Sequence, residues 1–472
     1  MLDELEAVEI SFHYLYKSNN IFRLDSGFYK KEYIYEENLI LNKKHNKLTF
    51  FATDIKSFGA YSLTNYVKYQ KVGIPFLRGL NLKNGIINFQ DVIFINKKAN
   101  ELLWKSEVKP KTVLLSMSGT IGDIAFAHED YTYPINSNQD IAKIRINEKL
   151  INSYFIYTFL LTSFGQNQVT REGRGSVQQH IFLSQIEQLL IPLYSTEFQL
   201  KIEKLIKSSH QNLQKSIAFY CQSEEILLKE LDLLDFESTQ ENIAIKSFSE
   251  SFLSTGRIDS EYYQPKYDEI IQKIKEYKGG VGTIEEVCNL KDSNHKPTKD
   301  KFYQYIELSN IGRTGDITGC TYNQGQLLPS RARRLVQTND VIISSIEGSL
   351  EKIALVTEEF DNSLCSTGFY VVRSSKINAS TLLVLFKNEI MQQILKQNCS
   401  GTILTAMNKN EFLNITIPII DLDIQNIISE KKITSFKLKT ESKNLLALAK
   451  RVVEIAIEDG EEIALEMINE NN

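Results

Sequence analysis

Arg23-Leu24-Asp25-Ser26, followed by Tyr29 and Tyr33, returns 234 residues later as Arg257-Ile258-Asp259-Ser260, followed by Tyr263 and Tyr267. The echo does not stop there. Val113-Leu114-Leu115-Ser116 matches Val341-Ile342-Ile343-Ser344, Gly119-Thr120 matches Gly348-Ser349, and Ile124-Ala125 matches Ile353-Ala354. Gly175-Ser176 with Ile191-Pro192 then matches Gly401-Thr402 with Ile417-Pro418. The offset drifts slowly downwards, as two tandem copies separated by small deletions require, and a missed duplication would mis-assign the whole fold.

Within each copy the texture changes once. Residues 21–193 and 257–420 hold short β-type runs, Val113–Leu115, Ile141–Ile146, Val341–Ser344 and Phe369–Arg373 among them, separated by turn signals such as Asn84-Gly85, Ser118-Gly119, Thr314-Gly315 and Glu347-Gly348. A mixed α/β domain is expected in each. After each Ile-Pro the period becomes helical. Ile206, His210, Leu213, Ile217, Tyr220, Glu224, Leu227, Leu231 and Leu234 keep a 4-3 spacing, and Ile424, Ile427, Lys431, Thr434, Leu438, Glu441, Leu445, Leu448, Val452 and Ile455 a 3-4 spacing. Such seams suit paired helices better than caps on their own domains, and ~35 residues make a rod of about 50 Å. The expected order is an N-terminal segment (1–20), a first domain (21–193), a central helix (194–235), a linker (236–256), a second domain (257–420), and a C-terminal helix with an acidic tail (421–472).

The chain has 472 residues and a formal net charge of −5, which taken alone disfavours a nucleic-acid ligand. The distribution reverses that reading. Residues 1–10 carry four acids and no base, and residues 454–472 carry seven acids and no base. Residues 68–111 hold nine Lys/Arg against three acids, and 291–334 hold eight against four. Two basic stretches thus stand in the two copies.

Several chemistries find no support. The chain has no Pro-Pro pair, hence no Asp/Asn-Pro-Pro-aromatic motif of an amine-directed methyltransferase, and no GxxxxGK[ST] phosphate loop. Its six histidines never fall within five residues of one another, and its five cysteines form no CxxC pair, so neither a local zinc site nor a disulfide framework is expected. No apolar run reaches 18 residues and the first residues lack a signal-peptide pattern, so a cytoplasmic protein is expected. Asp91 with Glu107-Val108-Lys109 has the Asp…Glu-x-Lys form of metal-dependent nucleases, but Glu-x-Lys recurs at Glu276 and Glu441. A nuclease, or a degenerate methyltransferase fusion, is the alternative enzyme reading. Ser116-Met117-Ser118-Gly119-Thr120-Ile121-Gly122 reads as a tight turn whose hydroxyls and N–H groups meet a phosphate or satisfy each other.

The positive signals are side chains suited to nucleic acid. Arg bonds guanine bidentately, Asn and Gln bond adenine, and Lys, Ser and Thr hold phosphates. In the first copy the candidates are Arg78, Asn81, Lys83, Ser118, Thr120, Asn136, Asn138, Gln139, Arg171, Arg174, Ser176, Gln178 and Gln179. In the second they are Asn310, Arg313, Arg331, Arg333, Arg334, Thr402, Thr405, Asn408 and Lys409.

The stretch Gly73-Ile74-Pro75-Phe76-Leu77-Arg78-Gly79-Leu80-Asn81-Leu82-Lys83-Asn84-Gly85, then Leu114 to Gly122, then Gly175-Ser176-Val177-Gln178-Gln179 and Ile191-Pro192-Leu193 before a long helix, resembles the target recognition domain of type I restriction–modification specificity subunits. The second copy repeats the order with Tyr305 to Ile311, Ile343-Ser344-Ser345, Gly401-Thr402 and Ile417-Pro418. It departs where Ser118-Gly119-Thr120-Ile121-Gly122 becomes Glu347-Gly348-Ser349-Leu350-Glu351, and where Gln178-Gln179 becomes Leu404-Thr405. The resemblance implies a non-catalytic DNA-reading scaffold, each domain contacting one half of a bipartite duplex site. It implies an antiparallel coiled coil as the spacer, and two methyltransferase subunits that bring S-adenosylmethionine. A restriction/translocase subunit would join them, and this chain would hold no cofactor or metal of its own.

Overall fold

The computed structural model describes residues 8–18, 23–57, 67–174, 179–401 and 405–470. It is mixed α/β and divides into two compact units, residues 1–211 with 442–472, and residues 212–441. The division falls inside both long helices, Thr196–Glu230 and Leu422–Glu458, so each unit owns one globular domain and a part of each helix.

In the first unit the central sheet has the strand order Ala52–Lys56, Ile141–Ile146, Thr112–Ser116, Ile124–Ala127, with every neighbour antiparallel. All five residues of Thr112–Ser116 are buried. Val113, Leu115, Phe126 and Ile144 join a core shared with the helices Ser153–Leu161 and Ser163–Glu172, whereas Leu114, Ala125 and Ile141 pack with Leu77 and Leu82 on the other face. Burial on both faces is why these strands read as continuous apolar runs instead of alternating ones. A smaller sheet has the order Asn136–Ser137, Ile74–Leu77, Ile93–Ile95, Tyr69–Gln70, its first pair parallel.

The second unit repeats the plan. Its central sheet runs Cys288–Leu290, Phe369–Ser374, Val341–Ser344, Ile353–Leu355. The smaller sheet runs Thr321–Gln324, Phe302–Ile306, Leu364–Ser366, Ala332–Leu335, again with one parallel pair, Tyr305 beside Leu364. Three strands of the smaller sheet correspond between units, but the fourth is added at opposite edges. Asn152 and Asn378 cap equivalent helices, their side chains accepting from Tyr154 N (2.8 Å) and Thr381 N (2.8 Å).

The repeated Arg-x-Asp-Ser motif is a fastening. Arg23 grips Asp25 through Nε (2.8 Å) and Nη2 (2.9 Å), and its Nη1 donates to the carbonyl of Arg171 (2.9 Å). Arg257 does the same to Asp259 (2.8 and 2.7 Å) and to the Cys399 carbonyl (2.9 Å). Tyr29 and Tyr263 each donate to the carbonyl of their arginine, at 2.9 and 3.1 Å. Each arginine holds its partner carboxyl below the usual carboxylate range.

The long helices contact each other within each unit through serines. In the first, Ser209 Oγ donates to the Ser442 carbonyl (2.8 Å). In the second, Ser216 and Ser435 each donate to the other's carbonyl (2.8 Å both), and Asn212 meets Glu441, so the helices run antiparallel there. Of the expected seam Val452 is fully buried and Ile424, Leu445, Leu448 and Ile455 pack against the cores, but the serine contacts lie on a neighbouring row. That row is Ile428, Ser435, Ser442, Ala449 and Ala456, all buried and one residue on from Ile427, Thr434, Glu441, Leu448 and Ile455. The acidic end also differs from a tail: Glu461–Glu470 forms a second helix, after Gly460, and buries Ala464 and Ile468 in the first unit's core.

Candidate nucleic-acid interface

Four segments of the first unit converge. Gly79 lies so close to the turn at 116–118 that a Cβ there would stand 3.1 Å from Ser116 Oγ. Asn138 N donates to the Leu77 carbonyl (2.9 Å), Met117 N to the Asp140 carbonyl (2.7 Å), and Ile181 N to the Met117 carbonyl (3.0 Å). The hairpin closed by Arg174 and His180 (2.9 and 2.7 Å) thereby sits against the Ser118 turn, where Ser118 Oγ is hydrogen-bonded to His180 Nδ1.

The sequence candidates separate into two groups here. Thr120, Arg174 and Gln179 are exposed around the convergence, Ser118, Asn138 and Gln139 are half-buried in it, and Gly119 takes a left-handed φ of 78° with open space around it. Asn138 spends its amide on Asp140 (2.8 Å). Arg78 sends Nη2 to the Asp91 carbonyl (2.8 Å). Asn81 is fully buried and locks its own turn, accepting from Arg78 N (2.9 Å) and donating to the Asn88 carbonyl (3.0 Å). Asn136 is fully buried between Asn100 and Ser106, at 2.8 and 2.7 Å. Arg171 is buried beneath the N-terminal fastening, paired with Glu37 (3.1 Å) and bonded to the Phe28 carbonyl (2.8 Å). Lys83 is exposed at the end of the short strand Leu82–Lys83, where it pairs with Ile86. Ser176 and Gln178 lie outside the described residues.

The second unit builds the same junction. Met407 N donates to the Ser345 carbonyl (2.8 Å) and Glu347 N to the Thr405 carbonyl (3.0 Å), joining the 345–349 turn to the hairpin at Ser400 and Ala406. Thr405 is half-buried, Asn408 caps the helix Lys409–Leu413, and Thr402 lies outside the described residues. Asn310 locks its turn as Asn81 does, accepting from Glu307 N (2.8 Å). Arg331 is exposed, and Arg333 donates to the Ser330 carbonyl (2.8 Å). Arg334 and Lys409 converge on Asp292 at 3.6 and 2.6 Å, and Lys409 holds that carboxyl below its usual range. Asp292, Lys291 and Lys409 line a polar cleft of about 500 Å³. Arg313 is exposed beside Thr314, whose carbonyl accepts from the buried Lys432 of the C-terminal helix.

Three participants escaped the sequence candidates: His180, Asp292 and Lys143. His180 directly follows Gln179, but its meeting with Ser118 spans 62 residues, and only the fold supplies it. Lys143 is buried below the interface, donating to Ser137 Oγ (2.8 Å) and the Ile141 carbonyl (3.1 Å), and burial pushes its ammonium down to about 7. As for the nuclease alternative, Glu107 is ion-paired with Lys109, and among the described residues no three His, Cys, Asp or Glu side chains gather as a metal cluster. No described helix is long and apolar enough to cross a membrane.

The model of the type I restriction modification DNA specificity domain matches residues 48–217 and again 276–446. A curated relative, the type I restriction enzyme EcoBI specificity subunit of Escherichia coli, is 23% identical over 137 residues, 29% of this chain and 28% of that protein's length. Among solved structures, a type I restriction-modification S subunit from M. genitalium aligns over 90% of this chain and 95% of its own (13% identity, TM-score 0.42). An HsdS subunit from Thermoanaerobacter tengcongensis aligns over 88% and 97% (13% identity, TM-score 0.30). With both matched segments spanning a globular domain and the start of the helix after it, this chain belongs to the type I restriction modification DNA specificity domain family, and carries the domain twice.

Proposed function

We propose that this chain is the sequence-reading subunit of a type I restriction–modification complex and has no catalytic step of its own. Each domain reads one half of a bipartite duplex site, and the two long helices act as the spacer. Two methyltransferase subunits, the carriers of S-adenosylmethionine, dock on the chain, and a restriction/translocase subunit completes the assembly. The observation that carries this reading is the doubled junction of turn and hairpin, with exposed basic or amide side chains beside it in both copies: Arg174 and Gln179 in one, Arg331 and Lys409 in the other. Phosphate contacts position such a protein and groove contacts specify the bases. Thr120, Asn138 and Gln139 in the first unit and Arg333, Arg334 and Thr405 in the second are the proposed nearest neighbours of the DNA.

The test is a domain exchange. A host carrying the partner subunits and a chain with residues 257–420 replaced by those of another family member is mapped for methyladenine. One half of the methylated motif is expected to change while the other stays. A change in both halves, or in neither, overturns the reading. So does cleavage or methylation of DNA by the purified chain alone when given Mg²⁺ or a methyl donor.

A further inference from the structure

The two copies share the plan of their central sheets, and one of the places where they differ is the contact between turn and hairpin. Where turn meets hairpin, the first unit pairs Ser118 with His180 and the second pairs Ile346 with Ala406. One backbone hydrogen bond is common to both: Met117 and Ser345 accept from Ile181 and Met407, at 3.0 and 2.8 Å. The side chains at the paired positions change from a hydrogen-bonded polar pair to an apolar one.

We propose that this junction is a specificity-determining position of each domain, an inference that rests on the DNA-reading function proposed above. In the first unit His180 is fixed on three sides. Its backbone closes the hairpin with Arg174, its Nδ1 is hydrogen-bonded to Ser118 Oγ, and its ring meets Phe182 edge-on with centroids 4.7 Å apart. The ring is half-buried and its Nε2 has no partner among the described residues. Holding Nδ1 on a hydroxyl settles which way the ring faces and leaves Nε2 to hydrogen-bond outwards. His180 pairs through its backbone with the exposed Arg174 and directly follows the exposed Gln179, so the ligand its imidazole suits is a hydrogen-bonding base edge of duplex DNA. Ser118 is then a positioning residue and His180 a contacting one. In the second unit Ile346 and Ala406 offer no hydrogen bond at the same place, and apolar contact suits a thymine methyl. A hydrogen-bonding letter is therefore read by the first unit where the second reads an apolar one.

The experiment is selection of duplexes from a randomised library by the full-length chain, wild type, His180→Ala, His180→Asn, and the double variant Ile346→Ser/Ala406→His. Each chain holds its own control, because the untouched unit must still select its half. Wild type is expected to enrich a two-part motif. His180→Ala should lose about tenfold in preference at one position of one half, the size of a single good base contact. His180→Asn should keep part of that preference, and the double variant should change one letter of the other half only. Both halves unchanged in His180→Ala overturns the junction proposal and leaves the DNA-reading function standing. Both halves lost also overturns it, because the junction is then structural. A uniform weakening for all sequences, with the motif intact, marks a phosphate contact and overturns it too. No motif from wild type overturns the DNA-reading function and this inference with it.

Discussion

Lys143→Met isolates the energetic cost built into the first domain. The ammonium is 2% exposed on the strand Ile141–Ile146, and burial, helped by the neighbouring charge of Arg145, pushes it down to about 7. An unfolded lysine titrates near 10.4, so between these values the unfolded chain keeps a proton that the folded one has released. Stability therefore rises with pH across that window, and the penalty is fully present below about 7. At 1.36 kcal/mol per pKa unit the penalty amounts to about 4–5 kcal/mol. Methionine fills similar space without charge but forfeits two hydrogen bonds, to Ser137 and Ile141, worth about 1 kcal/mol each. The variant should thus be about 2–3 kcal/mol more stable than wild type at pH 6 and about 1–2 kcal/mol less stable at pH 10. The second domain supports the substitution, since Val371 is fully buried at the equivalent place, next to Ile342 as Lys143 is next to Leu114. Urea unfolding at pH 6, 8 and 10, followed by the fluorescence of Trp104, reads the first unit alone, because the chain has one tryptophan. A variant less stable at pH 6, or a difference that does not move with pH, refutes the reasoning. The cost has a use on this reading: Lys143 holds Ser137 next to Asn138 and Gln139, so the stabilised variant should bind DNA more weakly.

Arg257→Ala should remove about 2–4 kcal/mol from the second unit, since a mostly buried guanidinium loses the Cys399 carbonyl, Glu411 and a half-exposed Asp259. Hydrogen exchange should show residues 257–263 opening while the equivalent segment at Arg23 stays protected. His128, stacked on His210 with ring centroids 3.6 Å apart, is pushed down to about 2 by burial and then by His210. Its share of stability is present above about 6.5 and lost as pH falls, about 2–3 kcal/mol by pH 4.5, so His128→Phe should flatten the acid limb of urea midpoints measured at those two values. Inserting about four residues, roughly one helical turn, between Ile206 and Leu231 should alter the gap in the methylated motif and keep its letters, and an unchanged gap in methyladenine maps would show that the helices are not the ruler.

What could be read from the sequence follows from which physics leaves a one-dimensional trace. Val113–Leu115 and Val341–Ser344 were legible because strands buried on both faces show an apolar run, and the helices because their period runs for 35 and 37 residues. The helix contact was not. Ser209, Ser216, Ser435 and Ser442 are buried because small side chains let the backbones approach until a hydroxyl reaches the opposite carbonyl, and a search for apolar residues passes over them. The interface shows the same limit. The order of turn, loop and hairpin is visible along the chain, yet nothing in Asn81 or Arg171 as letters tells a polar side chain spent inside the fold from one offered to a ligand.

The two domains explain why recognition can diverge on a fixed frame. The arginine fastening, the Asn81 and Asn310 turn locks, and the Asn152 and Asn378 caps each include bonds to backbone groups, so they constrain the chain's path. At the junction Ser118 with His180 stands where Ile346 and Ala406 stand, while the backbone bond from Ile181 to Met117 is kept as that from Met407 to Ser345. The fourth strand of the smaller sheet carries this further. Tyr69–Gln70 is added beside Ile93–Ile95 in the first unit, but Ala332–Leu335 is added beside Leu364–Ser366 in the second, at the opposite edge of the shared strands. Arg333 and Arg334 lie on that second addition and Arg331 directly precedes it. The equivalence that matters is between hydrogen-bonded junctions, and it is there that an exchange of side chains should exchange letters.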